Sequence, residues 1–173
     1  MTTKKIAQSA FLLAVALILG LLENLLPPIF PFLPYARIGL GNAAILLAIL
    51  WLGIPYAAVI LILKCVMLGL FSGAPTMILY SLAGGALAFP TMALLLKLGA
   101  NGVPAISAAG GAMHNVGQVL MAILFTGTAE IALILLYLAL FGMVAGGVIG
   151  VIVYYLDKAL PMIGKREKKS DGK

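Results

Sequence analysis

Charged residues divide the chain into long apolar runs. The uncharged runs cover residues 6–22, 38–63, 65–96, 98–129 and 131–156. A helix that crosses a bilayer needs about 20 mostly apolar residues, and each run is long enough for one or more crossings. Stretches such as AAILLAILWL are continuously apolar, whereas the strands of a membrane barrel alternate in polarity. The pattern therefore predicts an all-α integral membrane protein.

Proline, glycine and polar turns divide the runs into six predicted transmembrane helices. These helices cover residues 5–26, 38–52, 56–71, 76–98, 103–125 and 129–156. We expect the Pro-rich segment 27–34 to form an outer loop that partly covers the mouth of a cavity. Residues 1–157 are interpreted as one transmembrane domain and 158–173 as a basic cytoplasmic tail.

Composition supports a membrane location and excludes several classes of protein. Hydrophobic residues make up 64% of the chain and charged residues 9%, against about 25% charged in an average soluble domain. A soluble enzyme, a disordered chain and a nucleic-acid-binding domain are excluded, because too few polar groups remain to cover a surface. The single cysteine, Cys65, permits neither an internal disulfide nor a metal cluster.

The distribution of basic residues predicts the orientation. Six helices place both termini on one side, which carries Lys4, Lys5, Lys97 and the basic tail, whereas Arg37 is the one basic residue in the opposite loops. Positive residues concentrate in cytoplasmic loops, so both termini are expected in the cytoplasm of a multi-pass protein of the cell membrane.

Two series of small residues predict close helix contacts. Gly142, Gly146 and Gly150 share one face of helix 6, and Ala7, Ala10 and Ala14 share one face of helix 1. Small residues at this spacing let two helix backbones approach closely. For helix 6 the alternatives are packing inside the bundle or dimerisation. For helix 1 they are internal packing or docking of a partner membrane protein.

Polar residues inside the predicted helices concentrate between the midplane and the outer surface. Ionisable groups are costly in a bilayer and mark sites or water-filled cavities. The pattern predicts a ligand pocket that is closed towards the cytoplasm. Its candidate residues are Glu23, Arg37, Asn42, Lys64, Tyr80, Ser81, His114, Asn115 and Gln118.

Two details of this pocket can be predicted further. Gly84–Gly85 and Gly110–Gly111 remove side-chain bulk on helices 4 and 5, which predicts a hollow beside the polar residues. If Glu23 pairs with Arg37, Lys64 is left as the unpaired charge deepest in the pocket. We then expect a small ligand with an acidic or carbonyl-bearing head and a ring or short apolar body. The alternative for each residue is a structural role, such as an interfacial ion pair or a satisfied core histidine.

No enzymatic chemistry is predicted. The chain has no nucleophile–base pair at a recognisable spacing and no phosphate-binding glycine loop. One histidine with dispersed carboxylates is too few for a metal site, so neither a metal nor another cofactor is expected.

The segments RIGLGNAAILLAI, LYSLAGG and GAMHNVGQ resemble the Gx transporter family, whose members are often labelled heptaprenyl diphosphate synthase component I. That family is similar in turn to the S components of energy-coupling factor transporters. The resemblance implies a six-helix, substrate-capturing subunit that works with a transmembrane coupling subunit and ATPase subunits. It also implies that Ala10 and Ala14 belong to a docking face on helix 1.

The family label also suggests an alternative function. Polyprenyl diphosphate synthases use DDxxD motifs to bind magnesium and diphosphate, and the two aspartates here, Asp157 and Asp171, form no such motif. The chain is therefore not expected to be the catalytic synthase. A non-transport accessory role in quinone or isoprenoid metabolism, or in a membrane redox assembly, remains the alternative.

Overall fold

The computed structural model describes residues 3–25, 38–100 and 102–160, and this part of the chain is helical, without strands. Six α-helices follow one another, with a short 3-10 helix, Ala129–Ile134, before the last. The α-helices are α1 (Thr3–Asn24), α2 (Asn42–Trp51), α3 (Ile54–Phe71), α4 (Thr76–Lys97), α5 (Val103–Thr126) and α6 (Leu135–Ala159).

Five helical segments are long and apolar enough to cross a membrane, and α2 is the exception with 10 residues. Many large apolar side chains lie exposed on the outside of the bundle, including Leu124 at 78% and Val144 at 69%. Such a surface is stable against hydrocarbon and unfavourable against water. The chain is therefore a multi-pass helical membrane protein.

Contacts between helix ends define two ends of the bundle. The side-chain amide of Asn24 donates to the hydroxyl of Ser72, so α1 and α3 finish together at what we call the distal end. The indole nitrogen of Trp51 donates a 2.6 Å hydrogen bond to Asp157, so α2 and α6 finish together at the opposite, basal end. Because α2 leads directly into α3, it runs antiparallel to α1 and α3.

The most extensive helix contact joins α5 and α6, and glycines on both helices make it possible. A methyl group added at Gly142 would lie 2.4 Å from the carbonyl oxygen of Gly111, and one at Gly146 would lie 2.5 Å from that of Ser107. A methyl group added at Gly150 would lie 2.6 Å from Cα of Pro104. Of the two alternatives for this glycine face, the structure favours packing inside the bundle.

Two predicted helix boundaries were wrong. Helix 2 was expected from Ile38 but begins at Asn42, because residues 38–41 form a turn that Glu23 holds, as described below. Helix 6 was expected from Ala129, but the first six residues wind as the 3-10 helix, a form common at helix starts. The predicted Pro-rich loop 27–34, Arg37 and tail residues 161–173 lie outside the described residues.

Candidate ligand site in the membrane interior

A turn of four residues, 38–41, immediately precedes α2. Gly39 has a φ of +84°, a conformation that glycine adopts without a steric penalty. The amide of Asn42 bonds to the carbonyl of Gly39 at 2.8 Å, and that of Ala43 bonds to Leu40 at 3.1 Å. The ten-residue α2 spans about 15 Å, which is about half of a hydrocarbon core about 30 Å thick.

Glu23 on α1 satisfies the backbone of this turn. One oxygen of its carboxylate accepts a 2.6 Å hydrogen bond from the amide of Gly39, and the other accepts a 3.1 Å bond from the amide of Leu40. The side chain is 8% exposed. Buried backbone amides that lack a partner are costly, so these bonds let non-helical backbone persist inside the bundle.

Lys64 on α3 lies on the other side of the turn and is 5% exposed. Its ammonium group donates a 3.0 Å hydrogen bond to the side-chain oxygen of Asn42. A methyl group added at Gly41 would lie 2.9 Å from Cε of Lys64, so the glycine gives this side chain its room. Lys64 therefore has a polar partner on α2. The conditional expectation that it is the unpaired charge of the pocket depends on Arg37, which lies outside the described residues, and stays a prediction.

His114 brings α5 to the same turn and is 4% exposed. A methyl group added at Gly84 on α4 would lie 2.6 Å from Cε1 of the imidazole, and one at Gly39 would lie 3.8 Å from its Cδ2. The histidine ring therefore fits between α4 and the turn. Five helices meet here, since Glu23, Asn42, Lys64, Gly84 and His114 each come from a different one.

The predicted hollow beside the glycines was wrong. Neighbouring groups already occupy the space next to each of them. The ring of His114 lies against Gly84, Leu61 against Gly85, Met92 against Gly110, and the carbonyl of Gly142 against Gly111. Glycines show where another group can lie close to the backbone. Here side chains and backbone of the protein itself fill that space.

The remaining predicted residues have varied surroundings. Asn115 donates a 2.7 Å hydrogen bond to the carbonyl of Leu138, so its amide faces α6. Tyr80 belongs to an apolar cluster and packs edge-on against Phe125, with ring centroids 6.5 Å apart. Ser81 and Gln118 are buried on α4 and α5. Arg37 lies outside the described residues, and ligand binding by all nine remains a prediction.

Polar contacts between distant residues were not predicted. Examples are the bonds of Glu23 to backbone amides, of Asn24 to Ser72, and of Trp51 to Asp157. Each joins residues far apart in sequence. The one signal in the sequence was that both partners lie near helix ends at the same predicted level. Within the described residues, no three His, Cys, Asp or Glu side chains come together as ligands for a metal ion.

The alanine face of α1 points out of the bundle. Ala7, Ala10 and Ala14 are all exposed, whereas Leu12, Ala16 and Gly20 form the buried face of the same helix. Packing inside the bundle was one alternative for these alanines, and the structure contradicts it. Docking of a partner remains a prediction.

Comparison with known families identifies the broader group of the chain. The family model described as heptaprenyl diphosphate synthase component I matches residues 12–156. The chain belongs to this family. The match confirms the predicted resemblance, and it includes Glu23, Asn42, Lys64 and His114. No curated protein and no solved structure matches the chain.

Proposed function

We propose that this member of the heptaprenyl diphosphate synthase component I family is a substrate-capture subunit of the cell membrane. The chain crosses the membrane six times, with both termini in the cytoplasm. It binds a small molecule in the distal half of the bundle, which faces outward. The basal end supports this orientation, because it carries Lys4, Lys5, Lys97 and Lys158.

The observation that carries the proposal is the non-helical turn 38–41, around which five helices meet, with the buried cation of Lys64 beside it. Irregular backbone inside the bilayer is tolerated where it is buried in protein or lines a cavity, and such backbone forms the substrate sites of many transporters. A charge inside the bilayer costs about 2.5–3.5 kcal/mol on insertion scales and marks a functional site by default, which supports a ligand-binding role for Lys64.

The charges around the turn favour an acidic or carbonyl-bearing ligand head. The carboxylate of Glu23 already accepts two backbone hydrogen bonds, so it is poorly available to a ligand. The ammonium of Lys64 and the amino end of α2 both favour negative charge. Gln118 and Tyr80 lie one turn further towards the distal end, and we assign them to the rest of the ligand, a ring or short apolar body.

Partner subunits complete this proposal. An S-component-like protein has no ATP-binding motif, so uptake requires a transmembrane coupling subunit and ATPase subunits. The exposed face of Ala7, Ala10 and Ala14 supports a docking role for α1, because small side chains allow close approach of a second helix. In this proposal the chain carries out no catalysis and needs no metal.

The family description favours a second candidate function. It names a component of heptaprenyl diphosphate synthase, which supports an accessory role in isoprenoid or quinone metabolism. In that case the buried site holds an isoprenoid or quinone metabolite or is purely structural. The partner is then a prenyl synthase or a redox protein.

Native mass spectrometry of the full chain, purified in mild detergent, tests the proposal. We expect the wild-type protein to retain a small molecule that Lys64→Met loses, since methionine keeps the length and removes the charge. Lys97→Met is the matched control, because Lys97 is exposed at the basal end. Thermal unfolding in the same detergent checks that each variant is folded.

Two outcomes would contradict ligand capture at this site. One is a wild-type protein that carries no small molecule, and the other is a bound molecule that Lys64→Met retains. The identity of the molecule separates the two candidate functions, because an isoprenoid or quinone compound favours the accessory role.

A further inference from the structure

A groove of about 500 Å³ runs between α1 and α3 at the basal end, away from the site described above. Its walls are apolar, and they include Ala10 and Leu13 on α1 with Val59, Ile60 and Leu63 on α3. Only these two helices line it, so it opens sideways towards lipid. Val59 and Leu63 are 57% and 43% exposed, which leaves an apolar wall uncovered by the rest of the bundle.

The groove has a cationic end. Tyr56 lines it, and the ammonium of Lys5 lies 5.5 Å from the centroid of the Tyr56 ring. Lys4 is exposed one residue earlier. Ser9 also lines the groove, and its hydroxyl donates to the backbone carbonyl of Lys5 at 2.8 Å. A positively charged surface therefore lies directly beside the apolar groove.

The dimensions suit a hydrocarbon chain. Residues 55–63 of α3 extend along about 12 Å of helix axis. A volume of about 500 Å³ over that length leaves room for an extended hydrocarbon chain.

We propose that this groove binds an anionic phospholipid. One acyl chain lies along Ala10, Val59 and Leu63, and the phosphate head lies at the basal end of the groove beside Lys5, with Lys4 adding to the positive charge at this end. Basic residues next to a membrane helix attract anionic headgroups, and apolar contact along the groove holds the chain. This inference is independent of ligand capture at the turn 38–41. Because Ala10 belongs to both the groove and the alanine face of α1, a coupling subunit that docks on α1 would displace the lipid.

Native mass spectrometry with added lipid tests the proposal. The full chain is mixed with phosphatidylglycerol or with phosphatidylcholine of the same acyl chains, and the fraction carrying one lipid is measured. We expect about a tenfold preference for phosphatidylglycerol in the wild-type protein, given the attraction that two lysines exert on an anionic headgroup.

Two kinds of variant separate the headgroup from the chain. The double variant Lys4→Gln/Lys5→Gln should remove the preference, whereas Lys97→Gln, another exposed basal lysine, should keep it. Ala10→Trp should fill the groove and lower the retention of both lipids. Val148→Trp is its control, because Val148 is 60% exposed on α6, outside the groove. Thermal unfolding of each variant verifies that it is folded.

Several results would overturn the proposal. They are equal retention of the two lipids by the wild-type protein, a preference that survives removal of Lys4 and Lys5, or a preference that Lys97→Gln also abolishes. If Ala10→Trp leaves lipid retention unchanged but prevents association with another membrane protein, the groove is a protein-docking surface instead.

Discussion

Glu23 accepts a 2.6 Å hydrogen bond from the backbone amide of Gly39, and this contact joins the end of α1 to the turn that precedes α2. Its second oxygen accepts from the amide of Leu40. A carboxylate thus replaces the carbonyl partners that these amides would have in a continuous helix. The contact explains how α2 begins deep in the bundle, and it assigns Glu23 a positioning role beside Asn42 and Lys64.

We predict that Glu23→Gln destabilises the protein by about 1–3 kcal/mol, the cost of leaving one buried donor without an acceptor. Glutamine keeps the size of the side chain but turns one acceptor oxygen into a donor, which would face one of the two amides. The measurement is thermal unfolding in detergent.

Glu130→Gln is the matched control, because Glu130 is exposed in the 3-10 helix and its substitution should change stability by less than about 0.5 kcal/mol. If Glu23→Gln unfolds at the same temperature as the wild-type protein, the two backbone hydrogen bonds do not hold the turn.

Sequence patterns predicted the helical class, because it depends on local information. Apolar run lengths and breakers such as Gly53 and Pro75 predict where helices lie. Counting six helices placed Glu23, Asn42, Lys64 and His114 at one level of the bundle, and they converge around one turn. Their depth in the membrane stays a prediction.

The contacts themselves could not be predicted, because they depend on which face each helix turns to its neighbours. The start of α2 depends on Glu23, which is 16 residues before Gly39. Asn115 directly follows His114 in sequence, yet its side chain bonds to α6 while the histidine ring lies against α4. Adjacent positions on a helix point about 100° apart, so a polar string in the sequence does not define one surface.

We predict opposite results for two adjacent glycines of α6. Gly146→Ala should destabilise the protein by about 1–3 kcal/mol, because the new methyl group would lie 2.5 Å from the backbone oxygen of Ser107 and force α5 and α6 apart. Gly147→Ala should be nearly neutral, since its methyl group would lie 3.8 Å from the nearest atom, Cβ of Ala108.

Thermal unfolding measures the stability of both glycine variants, and size-exclusion chromatography with light scattering measures their oligomeric state. We expect the same oligomeric state for the wild-type protein and both variants. A Gly146→Ala protein of unchanged stability that loses a dimer would show that this glycine face joins two copies of the chain rather than α5 and α6.

The final prediction concerns the two ends of the bundle. Thr128, between α5 and α6, lies at the distal end, and Lys97, at the end of α4, lies at the basal end. Both are exposed. The natural cysteine, Cys65, is 0% exposed, so it should remain unlabelled and need not be removed. Because basic residues collect at the basal end, that end should face the cytoplasm.

Single-cysteine labelling of intact cells with a membrane-impermeant maleimide checks this orientation. Thr128→Cys should be labelled from outside, whereas Lys97→Cys should be labelled only after the cells are permeabilised. The wild-type protein is the control for Cys65. If Lys97→Cys reacts in intact cells as readily as Thr128→Cys, the chain does not have the six-crossing topology with cytoplasmic termini. The site at the turn 38–41 would then no longer be assigned to the outer half of the membrane, and capture from outside would lose its physical basis.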